Sequence, residues 1–272
     1  MSAPGHATRD NDSDAPFFLA GNQIGCLLLH GLGATARDMR FVGERLHARG
    51  WTVSAIHIAG HGTSLDDFAR STRQDWYASA RDGLLHLRQH ASHIVTIGQS
   101  MGALLALQLA VEHPDTVAAV GLLAPALVLS RWWLQWIAPA LPLLSRLERY
   151  RSVVRESDVA DALARAANPS KPMPVHAIHE LLLLQRHARA ILPRVSQPVI
   201  VLQSRQDHTC PLANVDILKR GLGGPLDAVI LDESYHVLSI DVEKERVALE
   251  LVAFVERVTG SDALRSSASS LV

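Results

Sequence analysis

The sequence predicts an α/β fold: a mainly parallel sheet flanked by helices, with an inserted helical cap. Three observations carry that prediction. Short β-branched or Leu-rich runs alternate with longer stretches whose apolar residues recur at helical spacing. Strands separated by helices need crossover connections, and these make a parallel sheet covered on both faces. The chain has 272 residues, 48% apolar and 19% charged, enough for one large core. Finally, one interval of about seventy residues lacks any strand pattern, too long for a structureless loop in a compact domain, and reads as a helical insertion.

The elements follow in order. Residues 1–15 are polar and acidic, without a charged-then-apolar leader, and read as a flexible tail. The expected core covers residues 16–125 and 195–260. Its strands are expected at 26–30, 52–58, 93–97 and 119–123, then at 199–203 and 228–231. Helical patterns lie at 41–49, 76–90 and 101–113, the last stopped by Pro114. Residues 126–194 form the expected cap, with Trp132, Trp133, Trp136, Pro139 and Pro142 near its start. Those tryptophans either line an acyl pocket or pack the insert onto the core. Across residues 131–194 ten Arg or Lys face five Asp or Glu, although the whole chain carries a net charge of −1. That asymmetry suits a solvated helical face or a lid that attracts anionic substrates or interfaces. A last helix starts near Asp241, and Ser-rich residues 261–272 read as a second flexible tail.

Composition excludes several classes. Lys plus Arg (26) balances Asp plus Glu (27), so no global field favours a polyanion and no nucleic-acid partner is expected. Two cysteines, Cys26 and Cys210, support neither a disulfide framework nor a Cys-based zinc site. Cys26 sits in an expected buried strand, and Cys210 reads as a partly exposed thiol. The longest apolar stretch, around 118–129, contains Gly121 and Pro125 and is shorter than the roughly 18 residues a membrane span needs. The expectation is a cytoplasmic protein without an integral membrane segment, which leaves room for weak association with an interface.

Gly98-Gln99-Ser100-Met101-Gly102 fits G-x-S-x-G, between an expected strand and an apolar helix. A strand turning at once into a helix strains the serine backbone, and the small glycines let strand and helix approach. Ser100 is thereby exposed as a nucleophile at a helix N-terminus. It needs a general base and an orienting carboxylate. Among fourteen histidines, His236 is best placed, in a loop leaving a strand end. Asp207, just past the strand at 199–203, is the chosen acid; Asp216, Asp232 and Glu233 compete, and His208 reads as a bystander. The backbone amides of Met101 and of Leu32, in His30-Gly31-Leu32-Gly33, are the expected oxyanion donors. Gly31-x-Gly33-x-x-Ala36 also mimics a dinucleotide fingerprint, but the second strand ends Ile56-His57-Ile58-Ala59-Gly60, without the acid that would hold a ribose. Gly60-His61-Gly62 reads as a tight turn bracing the site rather than a metal ligand.

These residues resemble the α/β-hydrolase superfamily, in particular its bacterial carboxylesterase and monoacylglycerol-lipase-like branch. The likeness covers residues 16 to about 258. It rests on Pro16-Phe17-Phe18 leading into Cys26-Leu27-Leu28-Leu29-His30-Gly31, on Gly60-His61-Gly62, on Asp75-Trp76 and on the Ser100 elbow. Gln206-Asp207, and His236 ahead of Asp241 and Glu243, complete it. The resemblance implies an α/β-hydrolase fold, Ser100, Asp207 and His236 as catalytic triad, Leu32 and Met101 as oxyanion donors, and a helical cap after the sixth strand. Gln99 stands where a smaller residue is expected, and the cap is rich in Trp and Arg; both bear on substrate preference. The expected function is a serine hydrolase that cleaves carboxylic esters of short or medium acyl chains, or monoacylglycerols, through an acyl-enzyme. It would need no metal or organic cofactor. Rival readings are another serine reaction on the same scaffold (thioesterase, acyltransferase, peptidase or C–C hydrolase), a non-catalytic small-ligand module and a nucleotide-dependent oxidoreductase.

Overall fold

The computed structural model describes residues 14–131, 141, 150–151, 157–169 and 172–269. Trp132, Trp133, Trp136, Pro139 and Pro142, and residues 1–13 of the expected tail, lie outside the described residues. Strands β1 (Phe17–Leu19), β2 (Asn22–Leu29), β3 (Trp51–Ala55), β4 (His93–Gln99) and β5 (Val117–Leu123) lie in the first half. After them come β6 (Tyr150–Arg151), β7 (Met173–Pro174), β8 (Val199–Ser204) and β9 (Leu226–Leu231). The main sheet runs β1-β3-β2-β4-β5-β8-β9, all parallel except β1, which pairs antiparallel with β3. Three residues are too few to show an alternating pattern, which is why β1 was not expected as a strand. Strand β3 ends at Ala55, three residues short of the expected span, and the chain then leaves the sheet for the turn at 60–62.

Alternation along the strands builds the two halves of the core. In β2, Leu27 and Leu29 join one apolar cluster while Cys26 and Leu28 join the other. After α2 (Leu65–Arg70), the first half packs α3 (Arg73–Leu87) and α4 (Met101–Glu112) onto the sheet through Trp76, Leu84, Leu104 and Leu107. Across the sheet, α1 (Arg40–His47) and α8 (Lys244–Ser269) contribute Val42, Leu46, Leu251 and Phe254. The Asp75-Trp76 pair has a structural use. Asp75 closes a capping box with Thr72 at the start of α3, and the buried Trp76 indole donates to Ser71 Oγ at 2.9 Å.

Between β5 and β8 the described residues hold α5 (Ala162–Ala167), α6 (Val175–Ile191) and a two-stranded ribbon of β6 and β7. The interval was expected to lack strands; two-residue strands carry no readable pattern. α6 is tied to the core by Glu180 Oε2, which accepts from the Arg73 guanidinium at 2.9 Å and from the Arg73 amide at 3.0 Å. Arg189 of α6 donates to the Leu127 carbonyl. At the far end, α8 continues to Ser269, past the point where a flexible tail was expected to open at 261. A Cβ at Gly260 would meet no atom within 4 Å.

Candidate active site

β4 turns directly into α4 at Ser100, and the backbone there adopts φ 56° and ψ −110°. A positive φ on a residue with a side chain is strained and persists only where the surroundings impose it. Here the Ser100 amide donates to the Leu123 carbonyl at 2.8 Å, and its carbonyl accepts from the Ala126 amide at 3.2 Å. The flanking glycines are required sterically. A Cβ at Gly98 would stand 2.1 Å from the Gly102 oxygen, and one at Gly102 would stand 2.2 Å from the Leu29 oxygen.

The side chains of Ser100, His236 and Asp207 come together in one line. His236 Nε2 lies 2.9 Å from Ser100 Oγ, and His236 Nδ1 lies 2.8 Å from Asp207 Oδ2. Asp207 follows β8 and His236 follows β9, so both loops leave strand ends on the side where β4 delivers the serine. The carboxylate is further fixed: Oδ1 accepts the amides of Thr209 (2.8 Å) and Cys210 (2.7 Å), and Oδ2 accepts Gln203 Nε2 (2.9 Å). Burial would raise the Asp207 carboxyl, but the adjoining His236 and the Cys210 and Thr209 amides outweigh it and hold it below its ordinary value. The acid therefore stays ionised and can keep a proton on His236 Nδ1, leaving Nε2 free to accept from the serine.

The loop after β2 lies against the serine. A Cβ on Gly31 would sit 3.3 Å from Ser100 Cβ and 3.9 Å from Oγ. The turn is closed by the Ala34 amide donating to the Gly31 carbonyl at 3.2 Å. Met101 opens α4, so its amide is one of those without an intrahelical acceptor. Beneath the loop, His30 Nδ1 donates to the Gly31 carbonyl (2.9 Å), and its Nε2 accepts the Ile58 amide (3.3 Å). That tautomer requires a neutral ring. Burial first, then the nearby His61 and His57, push the His30 pKa down to about 3 against the opposing bond to Gly31. His61, from the turn at 60–62, packs its ring 5.2 Å from that of His30 and is pushed down to about 4, chiefly by burial.

The remaining candidates separate clearly. Asp216 lies in α7 (Ala213–Gly221), Asp232 pairs with Arg205 at 2.9 Å on the exposed rim, and Glu233 is exposed. His208 contacts Asp158 at 2.8 Å rather than the serine. Cys210, expected as partly exposed, is fully buried: its amide and carbonyl are both engaged in holding the acid's turn, which draws the thiol inward. Gln99 is buried and its Oε1 accepts the Ser239 amide at 3.1 Å. Its size serves to tie the end of β4 to the loop that carries His236. Among the described residues, Asp207, Cys210 and His236 form the group with metal-binding side chains close together, within 4.8 Å. Its carboxylate and imidazole atoms are already committed to the hydrogen bonds given above, which suits proton relay rather than ligation. Gln203 carries no mark in the sequence because it reads as one more strand residue, and Asp158 because it acts across the fold; Gln99 stands out there by its size as bearing on substrate preference, whereas the fold gives it the tie to Ser239.

The same chain matches proteins already known. The serine aminopeptidase S33 family matches residues 22–243. A thermostable monoacylglycerol lipase of Bacillus sp. (strain H-257) is 30% identical over 246 residues, covering 90% of this chain and 95% of that protein. A carboxylesterase of Bacillus subtilis (strain 168) is 24% identical over 245 residues, 89% of this chain and 96% of the relative. Among solved structures, a chain from work on the metagenome-derived lipolytic enzymes LipS and LipT superposes with a TM-score of 0.78 at 27% identity. It covers 90% of this chain and 98% of that one. With its mostly parallel sheet, its serine elbow and this match across most of its length, the chain belongs to the serine aminopeptidase S33 family and has the α/β-hydrolase fold.

Proposed function

We propose that Ser100, His236 and Asp207 act as nucleophile, general base and orienting acid, with the amides of Leu32 and Met101 as oxyanion donors. The protein is a serine ester hydrolase, in keeping with relatives named as monoacylglycerol lipase and carboxylesterase. The observation that carries the mechanism is the continuous hydrogen-bonded line from Asp207 through His236 to Ser100. His236 takes the serine proton as Oγ attacks the ester carbonyl, and Asp207 stabilises the imidazolium that forms. The tetrahedral oxyanion is met by the two amides, where one donor is worth roughly 3–4 kcal/mol. His236 then protonates the departing alcohol. Water, deprotonated by the same ring, releases the acid and restores the serine.

The substrate is a carboxylic ester with a short or medium acyl chain, or a monoacylglycerol. Leu32 and Met173 support this: both are half-buried apolar residues packed on the core, Leu32 within the loop that lies against Ser100 and Met173 with its Cε 3.1 Å from where a Gly33 Cβ would be. The reading assigns residues 126–194 to a cap over a core of residues 16–125 and 195–260. Both cysteines are buried, and the reading sets the enzyme in the cytoplasm. Among the described residues no helix is long and apolar enough to cross a membrane. In the test, Ser100→Ala lowers kcat/KM for p-nitrophenyl butyrate at least about 1000-fold and abolishes fluorophosphonate labelling, with the thermal midpoint unchanged. Full activity in that variant refutes the assignment. A matched series of esters, thioesters and aminoacyl amides is expected to rank the esters first.

A further inference from the structure

The loops that carry His236 and Asp207 are bridged by a third stretch of chain, residues 157–161, which precedes α5. The main-chain carbonyl of Asp158 accepts the amides of His236 (2.9 Å) and Val237 (3.2 Å). Its carboxylate serves the other loop: Oδ1 accepts from His208 Nδ1 at 2.8 Å and Oδ2 from Thr209 Oγ1 at 2.5 Å. The Thr209 amide in turn donates to Asp207 Oδ1 at 2.8 Å. One residue thus grips the base through its backbone and the turn of the acid through its side chain. Next to it, the Ala160 and Asp161 amides donate to the carboxylate of Asp241 at 3.0 and 2.9 Å. Asp241 is fully buried and also accepts the Tyr235 and Val242 amides, at 2.7 and 2.8 Å. Residues 158–161 are therefore stitched to both sides of His236.

We propose that Asp158 is a positioning residue for the proton relay: from outside the α/β core, it sets the separation of base and acid. The proposal rests on the triad reading above and adds a residue to it. Its physical basis is the distance in chain between the loops. Asp207 and His236 are separated by a helix and a strand, so nothing covalent and local fixes their 2.8 Å contact. A bridge with one end on each loop does fix it. The Asp158 side chain is only 10% exposed, so water competes weakly for its bonds. It follows that the insert contributes to turnover itself and not only to the choice of substrate.

Three variants test this. Asp158→Ala removes the carboxylate. Asp158→Asn keeps an oxygen that accepts from Thr209, and Thr209→Val deletes only the hydroxyl while leaving both backbones intact. Misplacing a catalytic group by about 1 Å costs on the order of 100-fold, so Asp158→Ala is expected to lower kcat on p-nitrophenyl butyrate about 10- to 100-fold. Thr209→Val should lose about 3- to 10-fold and Asp158→Asn should recover part of the alanine loss, with KM held within about twofold throughout. The far-downfield proton resonance of His236 Nδ1 should shift or broaden in step with kcat. Should Asp158→Ala fail to fold, the other two variants decide. An unchanged kcat in folded Thr209→Val and Asp158→Asn overturns the proposal, and so does a fall in kcat with the proton resonance unmoved. Ser100→Ala keeps the two levels apart: full hydrolysis there removes the triad reading itself, whereas its loss beside unaltered Asp158 variants removes only the positioning role.

Discussion

At the scale of single residues, Ser100 owes its exposure to neighbours with no side chain. Gly102→Ala would drive a methyl to 2.2 Å from the Leu29 oxygen, a backbone atom that cannot swing aside. The expected cost is about 3 kcal/mol in urea unfolding, with poor soluble yield as the first symptom. His30 and His61 make a different prediction. Their folded pKa values, about 3 and about 4, lie below the 6.5 of a free imidazole. The unfolded chain therefore binds protons that the folded one refuses, so stability is full above pH 6.5 and falls as pH drops toward 4. Each ring is expected to cost about 1.4 kcal/mol between pH 7.5 and 5.5. Urea titrations across that window should show the loss, and His61→Phe, which keeps the ring packing on Phe68 and Trp76, should remove about half of it. An identical pH slope in the variant would contradict this account. Asp207, held below the usual carboxylate value, keeps its own contribution until pH falls through that lowered value.

The elements raise the question of what holds the insert down. Glu180 on α6 is buried and Arg73 at the start of α3 is about one-third exposed. Losing either partner is not equivalent. Arg73→Ala strands a buried carboxylate with only an amide for company, whereas Glu180→Gln leaves a guanidinium that water can reach. Arg73→Ala is therefore expected to destabilise more, by about 1–3 kcal/mol against less than about 1 for Glu180→Gln, as read from urea midpoints. At the other extreme, deleting residues 261–272 should leave activity intact and the thermal midpoint within about 2 °C, because a Cβ at Gly260, just before them, would meet no atom within 4 Å. Much at this scale was legible in the sequence. The strand–Gly-x-Ser-x-Gly–helix junction was readable because its signal is local, and Asp207 and His236 because strand ends are where such loops gather. β1 and the β6–β7 ribbon were not, being shorter than one period of alternation. Asp75-Trp76 was visible as a motif, but its purpose, a helix cap over a buried indole, needed the fold.

For the molecule as a whole, stability comes from two apolar layers either side of one sheet rather than from charge. Ion pairs such as Arg45–Glu245, Arg49–Glu256 and Arg257–Asp227 link α1, the turn after it and β9 to α8, and all are about half exposed. Exposed pairs contribute about 0–1 kcal/mol each and are screened by salt. Raising NaCl to about 0.5 M should accordingly move the thermal midpoint by less than about 3 °C; a larger fall would mean that charge pairing carries more of the fold than burial does. The fold class was legible because alternating patterns fix a parallel sheet. The brace at Asp158 was not, since a contact between residues 158, 209 and 236 leaves no trace in any window of sequence. The order of those segments has a further consequence. The hydroxyl-bearing elbow is synthesised with the first four parallel strands, whereas the imidazole and its carboxylate arrive only with β8 and β9. On the triad proposed above, 136 residues are added after the serine before its imidazole partner is made, so esterolysis can begin only once β8 and β9 dock.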